Sequence, residues 1–231
     1  MNRIIATRVT TRDVLDTIIF ESEKQDTRAR FTRDLYPTFR VKIVGVVMGV
    51  SIIDKEEEDK FYANISLSDP YGVVKVFIPI SALAEKVRKE ILPGDVVQVV
   101  GRIFENELPN GEKRNEIVAD GVAKVDKSIF VYHLVKYAEE RKKHLEYLNL
   151  FKRITELRNE YNELKSKSKD ASSIERLSLL RRKINALEMG LPQKYKLMNS
   201  IIEEYIEYLL EIQTPFEELL SDEDEDEYVK L

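Results

Sequence analysis

The feature that most constrains the fold is a stretch of about 90 residues, Thr38–Lys127, where apolar and polar side chains alternate between turn residues. A period of two is that of a β-strand with one buried face. Phe61–Ser68 and Gly72–Pro79 show it most clearly, and Pro70 and Gly72 predict a turn between them. The residues predicted to point inward are Ala63, Ile65, Leu67, Val74, Val76 and Ile78.

The rest of this stretch predicts three more strands and one short helix. The predicted elements are strands over Phe39–Asp54, Asp95–Phe104 and Glu116–Val125, a helix over Ser81–Ile91, and a polar loop over Glu105–Asn115. Gly45 and Gly49 would allow a bend or bulge in the first strand, and Ser81 is the predicted cap of the helix. Three strands, a helix and two strands are the element order of a five-stranded OB-fold β-barrel. A five-stranded barrel of another kind is the alternative.

Beyond Lys127 the apolar period becomes helical. One stripe, with heptad spacing, consists of Leu150, Ile154, Leu157, Tyr161 and Leu164. A second runs from Ile174 to Leu191 after the polar connector Lys165–Ser173, so an antiparallel coiled-coil hairpin is predicted. A third helix, Gln193–Ile212, is too apolar to stand alone and is expected to dock on the hairpin, the barrel or a partner chain. The predicted organisation is an N-terminal leader (1–37), an OB-fold domain (38–127), a helical domain (128–215) and a disordered acidic tail (216–231).

The net charge of −5 comes from that tail. Phe216–Leu231 holds eight acids and one lysine, and its removal leaves 36 basic and 34 acidic residues. The absence of cysteine excludes disulfides and thiolate metal sites. No phosphate loop, nucleophile motif or zinc pattern appears, so a non-enzymatic protein with no cofactor and no metal is predicted. No apolar run approaches the roughly 20 residues of a membrane span. We therefore expect a cytoplasmic, nucleoid-associated protein without a membrane partner.

The outward residues of the second and third predicted strands combine aromatic, cationic and small polar groups. Such a face suits single-stranded nucleic acid, because bases stack on rings and cations neutralise phosphates. The candidate nucleic-acid-binding residues are Arg40, Lys42, Tyr62, Asn64, Lys75, Phe77, Arg102, Lys113 and Arg114. Alternatively, the N-terminal segment, the third helix or another subunit covers Tyr62 and Phe77. DNA and RNA would use the same side chains.

Four short motifs occur in an order that points to a family. They are Leu35-Tyr36-Pro37, Val41–Val47, Ser68–Val73, and Pro93-Gly94-Asp95 with Val99-Val100-Gly101. In this order they resemble the archaeal replication protein A (RPA) small-subunit and RPA-associated family of OB-fold proteins, over about half the chain. The resemblance implies single-stranded DNA binding in replication and repair, in a complex with a larger RPA subunit.

Two features depart from the simpler members of that family. The helical region is long, which favours self-association or subunit contact through Leu150, Ile154, Leu157, Tyr161 and Leu164. The acidic tail resembles those of bacterial single-stranded DNA-binding proteins, so Tyr228 and Leu231 are predicted to recruit other proteins. The alternatives are a tail that solubilises the chain or competes with DNA, and an assembly subunit whose barrel face binds protein.

Overall fold

The computed structural model describes residues 6–22, 27–55, 60–167 and 171–192, together with Ile201, Glu204 and Tyr205. Two compact units are present, one of Met1–Tyr137 with Ser200–Leu231 and the other of Ala138–Asn199. The strands are β1 (Thr7–Arg8), β2 (Ile18–Ser22), β3 (Thr27–Phe31), β4 (Val41–Lys55), β5 (Lys60–Asp69), β6 (Gly72–Ile78), β7 (Val96–Glu107) and β8 (Lys113–Lys124). The helices are α1 (Thr11–Leu15), α2 (Ser81–Glu90), α3 (Lys127–Lys167) and α4 (Ala171–Met189).

Strands β4 to β8 form a closed barrel. Their order is β4-β5-β6-β8-β7, and β7 pairs back with β4. The β6–β8 pair is parallel and the other pairs are antiparallel, with α2 between β6 and β7. This is the OB-fold topology, so the predicted fold class, an OB barrel followed by helices, is confirmed. The predicted bulge in the first barrel strand lies between Val47 and Gly49, where the β4–β5 register shifts.

The barrel interior is filled by the alternate residues of its strands. The six residues predicted to point inward, Ala63, Ile65, Leu67, Val74, Val76 and Ile78, are all fully buried in one apolar cluster. Their neighbours in sequence therefore lie on the outer surface of β5 and β6.

Strand β7 passes very close to β8 at Gly101, where the register of the pair shifts. A Cβ atom at Gly101 would lie 2.3 Å from the carbonyl oxygen of Val118 and 3.0 Å from the Cα of Ala119. A Cβ atom at Gly121, on β8, would instead point into open space, with no other atom within 4 Å. Glycine at 101 thus permits a backbone approach that any larger residue would prevent.

The predicted leader contains secondary structure of its own. Strand β1 pairs in parallel with the start of β4, and Thr10 caps α1 through a reciprocal capping box with Asp13. The Thr11 amide donates a hydrogen bond of 2.7 Å to Asp69, which fixes α1 to the β5–β6 turn. Strands β2 and β3 form an antiparallel hairpin. These residues belong to the same compact unit as the barrel.

Two local predictions were wrong. The N-cap of α2 is Ile80, without a side-chain cap, because the Ser81 Oγ instead accepts a hydrogen bond of 3.2 Å from the Phe61 amide. The polar loop predicted over Glu105–Asn115 is shorter, since β7 and β8 stay paired as far as Glu107 and Lys113. Every residue that β7 adds to this extension is exposed, so it lacks the alternation by which a half-buried strand is recognised.

In the second unit, α3 and α4 pack against each other through the predicted apolar stripes. Arg176 pairs with Glu160 near the connector, while a Cβ at Gly190 would lie 3.8 Å from Leu150 at the far end. This pairing makes the two helices antiparallel. The seam consists of Tyr147, Leu150, Ile154, Leu157, Tyr161, Leu164, Leu180, Ile184, Leu187 and Leu191. No helix within the described ranges is long and apolar enough to cross a membrane.

Of the predicted third helix, three residues are described, and they are helical. Tyr205 makes edge contacts with Phe20 and Phe31 of the β2–β3 hairpin, at ring-centroid distances of 5.2 and 4.8 Å. The remainder of Gln193–Ile212 and the acidic tail, 216–231, lie outside the described residues.

Candidate nucleic-acid interface

Two aromatic rings lie side by side on the outer surface of the barrel. Tyr62 on β5 and Phe77 on β6 stack with their ring centroids 5.8 Å apart and their planes inclined by 25°. The neighbours Ala63 and Ile78 are fully buried, which holds the two backbones in place and directs both rings outward. Both rings are partly exposed. They form a small flat platform of the kind on which a nucleic-acid base can stack.

The platform continues across the sheet as a row of outward residues. Asn64 pairs with Phe77, Phe77 with Val118 of β8, and Val118 with Arg102 of β7. Three strand spacings of about 4.8 Å separate the two ends of the row, roughly 14 Å in all. One row therefore holds an amide, an aromatic ring, an apolar side chain and an exposed guanidinium. We call Tyr62 together with this row the ring face.

A second row runs beside the ring face. It holds Lys75, which is half-exposed, and the nearly buried Glu116, whose Oε1 lies 3.9 Å from the Lys75 Nζ. That oxygen has no hydrogen-bond partner among the described residues. Phe104 pairs with Glu116 and is 41% exposed. Since a half-exposed lysine at this distance is only loosely paired, Lys75 can still contact a phosphate.

Three residues that the sequence analysis did not select, Arg28, Arg30 and Phe104, lie next to the ring face. The Arg30 guanidinium is 5.2 Å from the centroid of the Phe104 ring, and Arg28 lies two residues earlier on β3. Burial, followed by repulsion from Arg28 and Arg102, lowers the pKa of Arg30. A short segment carried a signal for these arginines, because in Thr27–Phe31 they alternate with Ala29 and Phe31, which are fully buried.

The remaining predicted cations lie at other places around the barrel. Arg40 forms an ion pair of 3.2 Å with Asp120 of β8. Lys42 lies beside β1, where its carbonyl accepts a hydrogen bond from the Val9 amide. Burial lowers the pKa of the nearby His133, and the charge of Lys42 lowers it further. The structure therefore does not place Lys42 with the ring face.

Lys113 and Arg114 lie on the β7–β8 hairpin. Lys113 pairs with Glu105 at 2.9 Å, and this hydrogen bond raises the lysine pKa. Arg114 donates a hydrogen bond of 3.3 Å to the carbonyl of Val73. Both side chains are thus engaged within the chain, although Lys113 is still 61% exposed.

The predicted partner-binding stripe Leu150, Ile154, Leu157, Tyr161 and Leu164 faces α4 of the same chain. Ile154 and Leu157 are only 1% and 5% exposed, so the intramolecular hairpin already uses the stripe that was assigned to a partner. Tyr228 and Leu231 lie outside the described residues. Within the described ranges, no group of three or more histidines, aspartates or glutamates is arranged to hold a metal ion.

No protein-family model matches the sequence, and no curated protein matches it. Among solved structures, the chain is similar to one from the S. pombe Stn1–Ten1 complex, with 17% identity and a TM-score of 0.49, over 62% of this chain and 96% of that one. It is also similar to the second single-stranded DNA-binding protein of Mycobacterium smegmatis, with 22% identity and a TM-score of 0.34, over 38% and 86%. A third similar structure is the Plasmodium falciparum SSB complex with single-stranded DNA, with 14% identity and a TM-score of 0.33, over 38% and 95%.

Proposed function

We propose that this protein binds single-stranded nucleic acid, in the first place DNA, through the ring face and without enzymatic activity. The observation that carries the proposal is the stacked, outward pair of Tyr62 and Phe77. Each base that stacks on an aromatic ring contributes about 1–3 kcal/mol, and any base can do so. The face therefore favours binding with little sequence preference.

Charge supports the same function in a limited way. Arg102 is exposed, and no carboxylate of the described residues lies within ion-pairing distance of it. Lys75 is half-exposed beside the rings. A nucleic-acid strand that stacks on the rings would thus contact a few cations and not a continuous basic surface. Affinity should be modest and should fall with salt.

The resemblance of four motifs to the RPA small-subunit and RPA-associated family supports a finer proposal. On this reading the protein acts in DNA replication or repair, in a complex with a larger RPA-type subunit. RNA would use the same rings, because base stacking does not distinguish ribose from deoxyribose. Competition between DNA and RNA oligonucleotides of matched sequence separates these two ligands.

The proposal is tested by the double variant Tyr62→Ala with Phe77→Ala. Loss of two stacking rings should weaken binding to a fluorescent oligothymidylate by about 30-fold or more at low salt. Tyr132→Ala is the matched control, because Tyr132 is an exposed tyrosine on α3 with a lysine, Lys136, 5.9 Å from its ring centroid. An affinity unchanged in the double variant, with its urea midpoint preserved, would refute the stacking assignment.

A second candidate function is protein binding by the same face. Ile53, which pairs with Tyr62, is 41% exposed, and Val73 on β6 is exposed to the same extent. Exposed aliphatic side chains beside aromatic rings are typical of protein interfaces. Light scattering of the full chain over a range of concentrations tests self-association. A mass that stays monomeric would contradict binding between copies of the chain.

A further inference from the structure

We propose that the β2–β3 hairpin extends the nucleic-acid surface by a phosphate-binding subsite, in which Arg30 and Arg102 flank the ring of Phe104. This inference rests on the proposed function and lengthens the path of the bound nucleic acid. The nucleic-acid strand would leave the Tyr62–Phe77 platform, cross β8 at Val118 and reach β7 and the hairpin.

The register of the barrel supplies the continuity of this path. Phe77, Val118 and Arg102 are successive neighbours in one row, and Phe104 follows Arg102 on the same face of β7. The Arg30 guanidinium lies over the Phe104 ring. A second exposed ring and two guanidiniums thus lie two strands beyond the first platform, with β8 between them. This alternation of rings and cations is what a single strand of bases and phosphates requires.

No anion of the described residues neutralises the two guanidiniums. Among the described residues, neither Arg30 nor Arg102 has a carboxylate within ion-pairing distance, and the buried Arg30 Nε has no hydrogen-bond partner. Arg28, the nearest further cation on β3, is paired with Glu21. Two like charges held close together without a counter-ion cost free energy, and a bound phosphate would remove that cost.

The hairpin is held firmly enough to present Arg30. The Arg30 carbonyl accepts a hydrogen bond of 2.9 Å from the amide of Thr38, which lies three residues before the start of β4. Phe31, the next residue, is fully buried, forms a bridge with Pro37 and contacts the Tyr205 ring. The backbone of Arg30 is therefore fixed on both sides, and a phosphate subsite here needs little ordering on binding.

The test measures binding of an oligothymidylate of about 16 nucleotides, the upper site size of an OB fold, over a salt series. The variants are Arg102→Gln and Arg30→Gln. Each should bind about tenfold more weakly at low salt, because each loses one charged hydrogen bond to phosphate. Each should also lower the slope of log affinity against log salt by about 0.7.

Arg88→Gln is the matched control. Arg88 on α2 also lies over a phenylalanine, with its guanidinium 5.6 Å from the Phe61 ring centroid, but Phe61 lies on the opposite face of β5 from Tyr62. The affinity of Arg88→Gln for the oligothymidylate, and its salt slope, should equal those of the wild type. Because Arg30 is half-buried, its variant is also checked by urea unfolding, whereas Arg102 is exposed and needs no such allowance.

The outcomes separate this inference from the proposed function. Wild-type affinity and slope in Arg102→Gln, while the Tyr62 and Phe77 double variant still binds weakly, would overturn the phosphate subsite and leave the proposed function standing. An equal loss in the Arg88 control would overturn it too, since the effect would then be one of net charge. A wild-type protein that binds no oligonucleotide overturns both.

Discussion

Gly101→Ala should strongly destabilise the barrel, although the substitution adds only one methyl group. The new Cβ would lie 2.3 Å from the Val118 carbonyl oxygen, whereas close carbon–oxygen contacts in sheets lie at about 3.3–3.6 Å. Strands β7 and β8 would have to separate by roughly 1 Å. The nearest atom, the Val118 oxygen, and the Ala119 Cα belong to the backbone, so a rotation of the third close neighbour, the Ile117 side chain, would not relieve the contact.

The magnitude follows from what the separation disrupts. Two ladder hydrogen bonds beside Gly101, at about 1 kcal/mol each, together with residual strain of similar size, give a loss of about 3 kcal/mol. For a unit of this size that corresponds to roughly 6–12 °C in the melting temperature. Gly121→Ala, the same change in open space on β8, should be neutral or slightly stabilising.

The assay is urea unfolding followed by the near-ultraviolet circular dichroism of the tyrosines, since the chain has eleven tyrosines and no tryptophan. Equal midpoints for Gly101→Ala and Gly121→Ala would show that β7 and β8 do not approach as described. The reasoning about the register shift, and about the position of Arg102 next to it, would then be refuted.

Two further predictions concern other parts of the molecule. Ile154→Ala should cost the helical hairpin about 2–5 kcal/mol by leaving a cavity in the seam, whereas Leu179→Ala, at a residue 52% exposed, should cost little; hydrogen exchange of α3 and α4 measures both, and equal protection would contradict the seam. Burial lowers the pKa of His133 below its ordinary 6.5. The unfolded chain therefore gains its proton first, and the free energy of unfolding should fall as the pH drops below about 6.5. Melting temperatures at about pH 7.5 and about pH 5.5 should show a smaller drop in His133→Gln than in the wild type, and an equal drop would contradict the assignment.

The sequence was sufficient to predict the barrel because its strands are half-buried. Apolar residues alternate with polar ones at Ala63, Ile65 and Leu67, because one face of the sheet is buried and the other faces solvent. The same logic predicts the α3–α4 seam, whose heptad spacing reflects contact along one helix face. Periodicity fails where burial does not alternate, as at the exposed end of β7.

The candidate site was predictable only in part. Tyr62 and Phe77 could be assigned to one face because that face follows from the barrel pattern. Arg30 could not, because its position over Phe104 depends on a contact between residues distant in sequence. The β2–β3 hairpin has strands of five residues each, too short for the alternation in them to distinguish a strand from a polar segment.

Strand β1 has a consequence for how the barrel meets other chains. The β4–β5 pairing begins only at Val46, so the first residues of β4 would present unsatisfied amides and carbonyls along that side. Thr7 and Val9 donate hydrogen bonds to the carbonyls of Arg40 and Lys42 and fill this gap. An unfilled edge of a sheet is a template for strand addition by a neighbouring molecule. These two short backbone contacts thus protect the barrel from edge-to-edge aggregation at the point where its wall is incomplete.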